Sequence, residues 1–175
     1  MPATVFYAIG DFLGMWTDKG DTVGSDNLIH GIDVSRYQGE INWQQVANEN
    51  VISFAYIKAT EGSDLTDSRF ADNFKGAREV GLRVGAYPFL SDKSNMRDQF
   101  ENYRRHVPKS KLDLLPMVDV EESGVGRWSA AQIQDSLAVF CQLVKDHYGK
   151  LPIIYTYSNF YNNYLYEHFH NYYLF

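Results

Sequence analysis

Two carboxylates stand two residues apart in Asp119-Val120-Glu121, at the end of an otherwise apolar run. Alternate residues of a strand share a face, so this spacing aims both at one cavity. Crowded like charges raise the pKa of one member and leave it protonated near neutral pH. One acid beside one carboxylate is what cleavage of a glycosidic bond requires. The same spacing also suits a helix cap or a cation site, and the motif alone does not choose among them. A third carboxylate, Asp33, ends another short apolar run. It either orients the leaving group or modulates Glu121, or else it bonds turn amides or pairs with Arg36. Lys58 and Glu61 read as a local ion pair or as contacts to a sugar hydroxyl or acetamide oxygen. Tyr87, Tyr155 and Tyr157 either stack on sugar rings or pack in the core.

Five strand-then-helix units position these residues. Gly31–Ser35, Val51–Ala59, Leu82–Leu90, Leu112–Glu121 and Pro152–Tyr157 are the expected strands. The intervening helices are marked by their ends. Asn42 with Gln45, and Ser129 with Gln132, have capping-box spacing. Gly81 and Gly149 sit where a helix stops. The clearest helix carries Ile133, Leu137, Phe140, Val144 and Tyr148 as one stripe. Repeated βα units predict an α/β fold with a parallel sheet, whose chemistry gathers at the carboxyl ends of the strands. Asp33, Lys58, Glu61, Tyr87, Asp119, Glu121, Tyr155 and Tyr157 all fall at those ends. Residues 1–29 read as a separate extension before a domain at 30–175.

Composition narrows the classes further. The chain has 175 residues, 45% hydrophobic and 15% aromatic, with a formal charge of −6. That is too apolar for a disordered chain. No basic run suggests a nucleic-acid partner, and no stretch reaches the roughly 20 apolar residues of a membrane span. The single Cys141 lies in an apolar helical pattern and reads as a packing residue.

Five segments in register resemble glycoside hydrolase family 25, the Chalaropsis-type lysozymes. They are Gly31-Ile32-Asp33-Val34-Ser35 with Gln38; Ile57-Lys58-Ala59-Thr60-Glu61-Gly62; Gly85-Ala86-Tyr87-Pro88-Phe89; Val118-Asp119-Val120-Glu121; and Ile154-Tyr155-Thr156-Tyr157. The resemblance implies an irregular TIM-like (β/α) barrel that hydrolyses the β-1,4 bond between N-acetylmuramic acid and N-acetylglucosamine. Glu121 would be the general acid. Asp119 would stabilise the oxocarbenium-like transition state or orient the 2-acetamido group, and Asp33 would be a further active-site carboxylate. Lys58, Glu61, Tyr87 and Tyr155 match groove positions, and Tyr157 stands beside them. The implied partner is the glycan strand of bacterial peptidoglycan, outside the cytoplasmic membrane, and the implied location is extracellular or in the cell envelope. No secretory signal is visible in the sequence. No metal or organic cofactor is implied. Two carboxylates without an obvious separate nucleophile lead us to expect retention of configuration, with the substrate acetamide as nucleophile. Pro88 departs from the family, which commonly has His there.

Family members close the barrel with three further strands after five βα units, and 175 residues is short of the roughly 250 of a full eight-fold barrel. Tyr172-Tyr173-Leu174-Phe175 reads like the entry to a sixth strand. The expectation is therefore a truncated catalytic domain. Its open edge would be covered by the N-terminal extension, by strand exchange or by self-association, or else lower its stability. Two alternatives to an active muramidase follow: a peptidoglycan-binding protein without turnover, and a Mg²⁺ site built from Asp33, Asp119 and Glu121. No phosphate-cradling Gly-rich loop accompanies the latter.

Overall fold

A computed structural model describes residues 4–9, 28–49 and 51–175. In chain order the elements are β1 (Thr4–Ile9), β2 (Leu28–Val34), α1 (Trp43–Asn48), β3 (Ile52–Glu61), β4 (Leu65–Thr66), α2 (Phe70–Glu79), β5 (Arg83–Phe89), α3 (Met96–His106), β6 (Met117–Asp119), α4 (Glu122–Val125), α5 (Ala130–Tyr148), β7 (Ile153–Tyr155), α6 (Ser158–Phe160) and α7 (Tyr166–Phe169). A π-helical turn, Tyr161–Leu165, joins the last two helices. The strands lie in the order β1-β2-β3-β5-β6-β7, with β4 folded back on the end of β3. β2, β3, β5, β6 and β7 are mutually parallel, and helical structure follows each of them. The result is a mixed α/β molecule whose curled parallel sheet forms an incomplete barrel.

Strand alternation sorts the core into two faces. From β3, Ala55, Ile57 and Ala59 turn outward and pack with Phe74, Phe100, Leu137 and Phe140 of the helices. Phe54 and Tyr56 turn inward, toward Tyr87, Met117 and Ile153. Two glycines make room for the inner rings. A Cβ on Gly31 would lie 2.0 Å from the Phe54 ring, and one on Gly85 would lie 2.2 Å from the Tyr56 ring. The buried Tyr56 hydroxyl donates to the Leu115 carbonyl at 2.9 Å, which removes the cost of an unpaired buried donor.

Local signals set the helix ends. The Ser129–Gln132 capping box is present in both directions, and Gly149 ends α5 in the left-handed conformation. Asn42 accepts from the Gln45 amide. Helix α3 is capped by Asn95, whose side chain accepts from the Asp98 amide.

Two expectations need correction. The predicted strand over residues 112–121 contracts to Met117–Asp119. Asp113 instead grips the start of β5, accepting from the Val84 amide at 3.0 Å while its own amide donates to the Val84 carbonyl. Pro116 brings no N–H to a ladder. The N-terminal strand was a candidate cover for the edge at β7, but β1 pairs antiparallel with β2, at the opposite edge. It joins the strand nearest in sequence, the commonest arrangement. At the β7 edge, Leu174 makes a parallel bridge to Ile154, and Phe175 donates to the Ile154 carbonyl at 2.9 Å. Leu174 packs on the helix side while the Phe175 ring meets Phe54 and Tyr56 inside, as alternation requires.

Candidate active site

Register places the chemistry-bearing residues in adjoining rows. Lys58 of β3 is paired with Tyr87 of β5, and Asp119 of β6 lies between Phe89 and Tyr155. Asp33 stands next to Tyr56 across the β2–β3 pair. The strand ladder stops at Asp119. Glu121, expected on the same strand, is instead the residue preceding α4, although its backbone is still extended at φ −135° and ψ 156°. The two-residue spacing therefore keeps its effect without the ladder.

Asp119 is buried, and its Oδ1 has no hydrogen-bond partner among the described residues. Burial holds its carboxyl well above the usual carboxylate range. The negative charge of Glu121 pushes the same way, as do Asp33 and Glu61, while Lys58 opposes them. Glu121 is more open. Burial also raises its pKa, but the Ser123 hydroxyl, donating to Oε2 at 3.2 Å, works against that shift. Lys58 and a hydrogen bond with Tyr157 oppose it too. The site thus holds two neighbouring carboxyls of unequal burial, both raised above the usual carboxylate range.

Lys58 is buried, with Nζ 2.8 Å from Glu61 Oε2 and 4.4 Å above the Phe89 ring. Of the two readings of these residues, the structure shows the ion pair. Tyr87 is buried. Its hydroxyl lies 3.5 Å from the Val34 carbonyl, and burial followed by the charges of Asp33 and Asp119 drives its pKa far upward. It stays a neutral phenol. Tyr155 and Tyr157 meet edge to face at 6.3 Å between ring centres. The Tyr157 ring is 60% exposed at the mouth of the site. The charge of Glu121 raises its pKa, with burial adding to the effect. No group of three or more His, Cys, Asp and Glu among the described residues is arranged to hold a metal ion. Cys141 is buried in α5, where desolvation pushes its thiol up to about 12.

Several supporting residues escaped the sequence. Asp67 accepts from the Arg36 amide at 3.0 Å and the Arg69 amide at 2.9 Å, joining the loop after β2 to the segment before α2. Gln99 holds the loop after β5 by bonds to both the amide and the carbonyl of Ser91. Arg127 binds Asp92 through backbone N–H and guanidinium, fastening that loop to α4. Only the Asp67–Arg69 turn has a local signature; the other partners lie 8 to 35 residues apart.

Carboxylates thus gather where the parallel strands of a curled α/β sheet end. A family model described as "Glycosyl hydrolases family 25" matches residues 32–175. The chain belongs to glycosyl hydrolase family 25. It is 40% identical over 138 residues to "Uncharacterized protein YegX" of Escherichia coli O6:H1, covering 77% of this chain and 50% of that protein. It is 32% identical over 142 residues to "Lysozyme M1" of Streptomyces globisporus, covering 77% and 48%. The chain thus spans about half the length of these curated relatives. Among solved structures, a family 25 glycosyl hydrolase from Bacillus anthracis superposes with a TM-score of 0.73 at 34% identity, over 86% of this chain and 70% of that one. A family 25 lysozyme from Aspergillus fumigatus superposes at 0.71 with 27% identity, over 82% and 74%.

Proposed function

We propose that this chain carries the catalytic groove of a peptidoglycan muramidase, acting on the glycan strand outside the cytoplasmic membrane. The observation that carries the reading is the electrostatically coupled pair of Asp119 and Glu121, unequally buried at the carboxyl end of the parallel sheet. The scaffold is an irregular TIM-like (β/α) barrel, to which the five parallel strands contribute. Glu121 faces the more open side and donates a proton to the glycosidic oxygen between N-acetylmuramic acid and N-acetylglucosamine. Asp119, deeper in the sheet, orients the 2-acetamido group for attack. Asp33 adds a third carboxylate across the mouth. Lys58 keeps the cluster from protonating fully, because its charge favours the ionised form of both catalytic carboxyls. Tyr87 and Tyr155 wall the groove, and the exposed Tyr157 ring offers a stacking face for a sugar. The acetamide then acts as the nucleophile, and the configuration is retained.

The second reading is a wall-binding protein without turnover. Purified cell walls separate the two. Clearing of a wall suspension with release of new reducing ends supports the muramidase, and sedimentation of the protein with intact walls supports the binder.

A further inference from the structure

We infer that the cavity beside Glu121 seats the peptide branch of the substrate, an assignment that rests on the muramidase reading. This cavity, about 440 Å³, lies between the loop after β5 and α4. It shares Glu61 with the carboxylate cluster, and it includes Ser123, whose hydroxyl donates to Glu121. A ligand held there belongs to the same binding event as the scissile bond. In peptidoglycan the muramyl sugar carries a short peptide on its lactyl group, so a muramidase meets peptide immediately beside the bond it cleaves.

The lining suits a peptide better than a sugar. Its one aromatic ring, Phe89, already has one face taken by the Lys58 ammonium at 4.4 Å, so the cavity offers little surface for stacking. Of its other side chains, Glu61 is paired with Lys58 and Asp92 with Arg127, which leaves the hydroxyls of Ser91 and Ser123, the ammonium of Lys93 and the carboxylate of Glu122. Neither Lys93 nor Glu122 has an ion-pair partner among the described residues. Unpaired charges of both signs match a branch that bears both carboxylates and an amine. The wall is also held before binding. Asp92 donates its amide to the Gly124 carbonyl at 2.9 Å and receives Arg127, while Gln99 clamps Ser91. A Cβ at Gly124 would lie 2.2 Å from the Leu90 carbonyl oxygen, so loop and helix are in close backbone contact. A preformed wall spares the ligand the entropy of ordering it.

The test compares two substrates: peptide-bearing glycan, and the same glycan stripped of peptide by an N-acetylmuramoyl-L-alanine amidase. The double variant Lys93→Gln/Glu122→Gln should lower the ratio of kcat/KM for peptide-bearing over stripped glycan by about tenfold, chiefly through KM. An unchanged ratio overturns the assignment, whether both substrates weaken together or neither does. Should the wild-type chain cleave neither substrate, the muramidase reading fails, and calorimetry with free L-Ala-γ-D-Glu-L-Lys-D-Ala-D-Ala decides the cavity alone. Heat of binding that the double variant abolishes upholds it, and no binding ends it.

Discussion

Lys58 and Glu61 form an ion pair 2.8 Å long at the end of β3, and it stands within electrostatic reach of Asp119. The lysine favours the charged form of both Asp119 and Glu121. Removing the pair together, as Lys58→Met/Glu61→Gln, avoids leaving one buried charge alone. Because the acid must stay protonated to work, loss of the cation moves the alkaline limb of kcat/KM toward higher pH. A pH–rate profile of the double variant checks the sign.

Glu121→Gln keeps the shape of the site but carries no transferable proton. Release of reducing ends should fall by about 10³-fold, within the usual range for loss of a general acid. The far-ultraviolet circular dichroism spectrum should not change. Near-normal turnover would remove Glu121 from this role.

Asp119→Asn should stabilise the fold while destroying activity. A carboxyl whose folded pKa is raised weakens the fold as pH climbs from its unfolded value through the folded one, because the native state must give up a favoured proton. The gain is therefore absent below the ordinary carboxylate value and full above the raised one. Melting curves should show a Tm increase of about 3 °C at pH 7, what about 1 kcal/mol gives in a chain of this size, and little change at pH 3.

Tyr157→Ala should lower kcat/KM on glycan strands by about tenfold, because a largely exposed ring loses its stacking partner. Tyr157→Phe retains the ring and loses the hydroxyl that hydrogen-bonds Glu121. It should recover most of the KM and shift the alkaline limb upward. Kinetics of the two variants side by side separate ring from hydroxyl.

Proton NMR of the first product should show the β-anomer, as retention through the acetamide requires. An initial α-anomer would mean that water attacks directly.

The parts legible in the sequence are those whose cause is local. Ser129 and Gln132 lie three residues apart and cap α5 as their spacing predicts. Phe54 and Tyr56 alternate with Ala55 and Ile57, so the two faces of β3 could be read directly. Asp33, Lys58, Tyr87, Asp119 and Tyr155 stood out as polar or amphipathic groups at the ends of apolar runs. The rest depends on distant partners. Asp113 looked like part of a strand until Val84, 29 residues away, claimed its carboxylate. Asp92 and Arg127 are 35 residues apart and belong to no periodic pattern. The extended conformation of Glu121 was readable, but its loss of ladder pairing was not, because that depends on where β7 stops.

The two halves of the candidate machinery rest on foundations of different strength. Lys58 rides on β3, a ten-residue strand with parallel neighbours on both sides and a fully buried centre. Its amides can exchange with solvent only when most of the sheet opens. Glu121 precedes a four-residue helix whose position depends on one loop and the Asp92–Arg127 clasp. Deuterium should therefore enter α4 well before β3. The proposed proton donor thus precedes a short helix held largely by side-chain clasps, and the cation beside it sits on a strand held by backbone ladders on both sides.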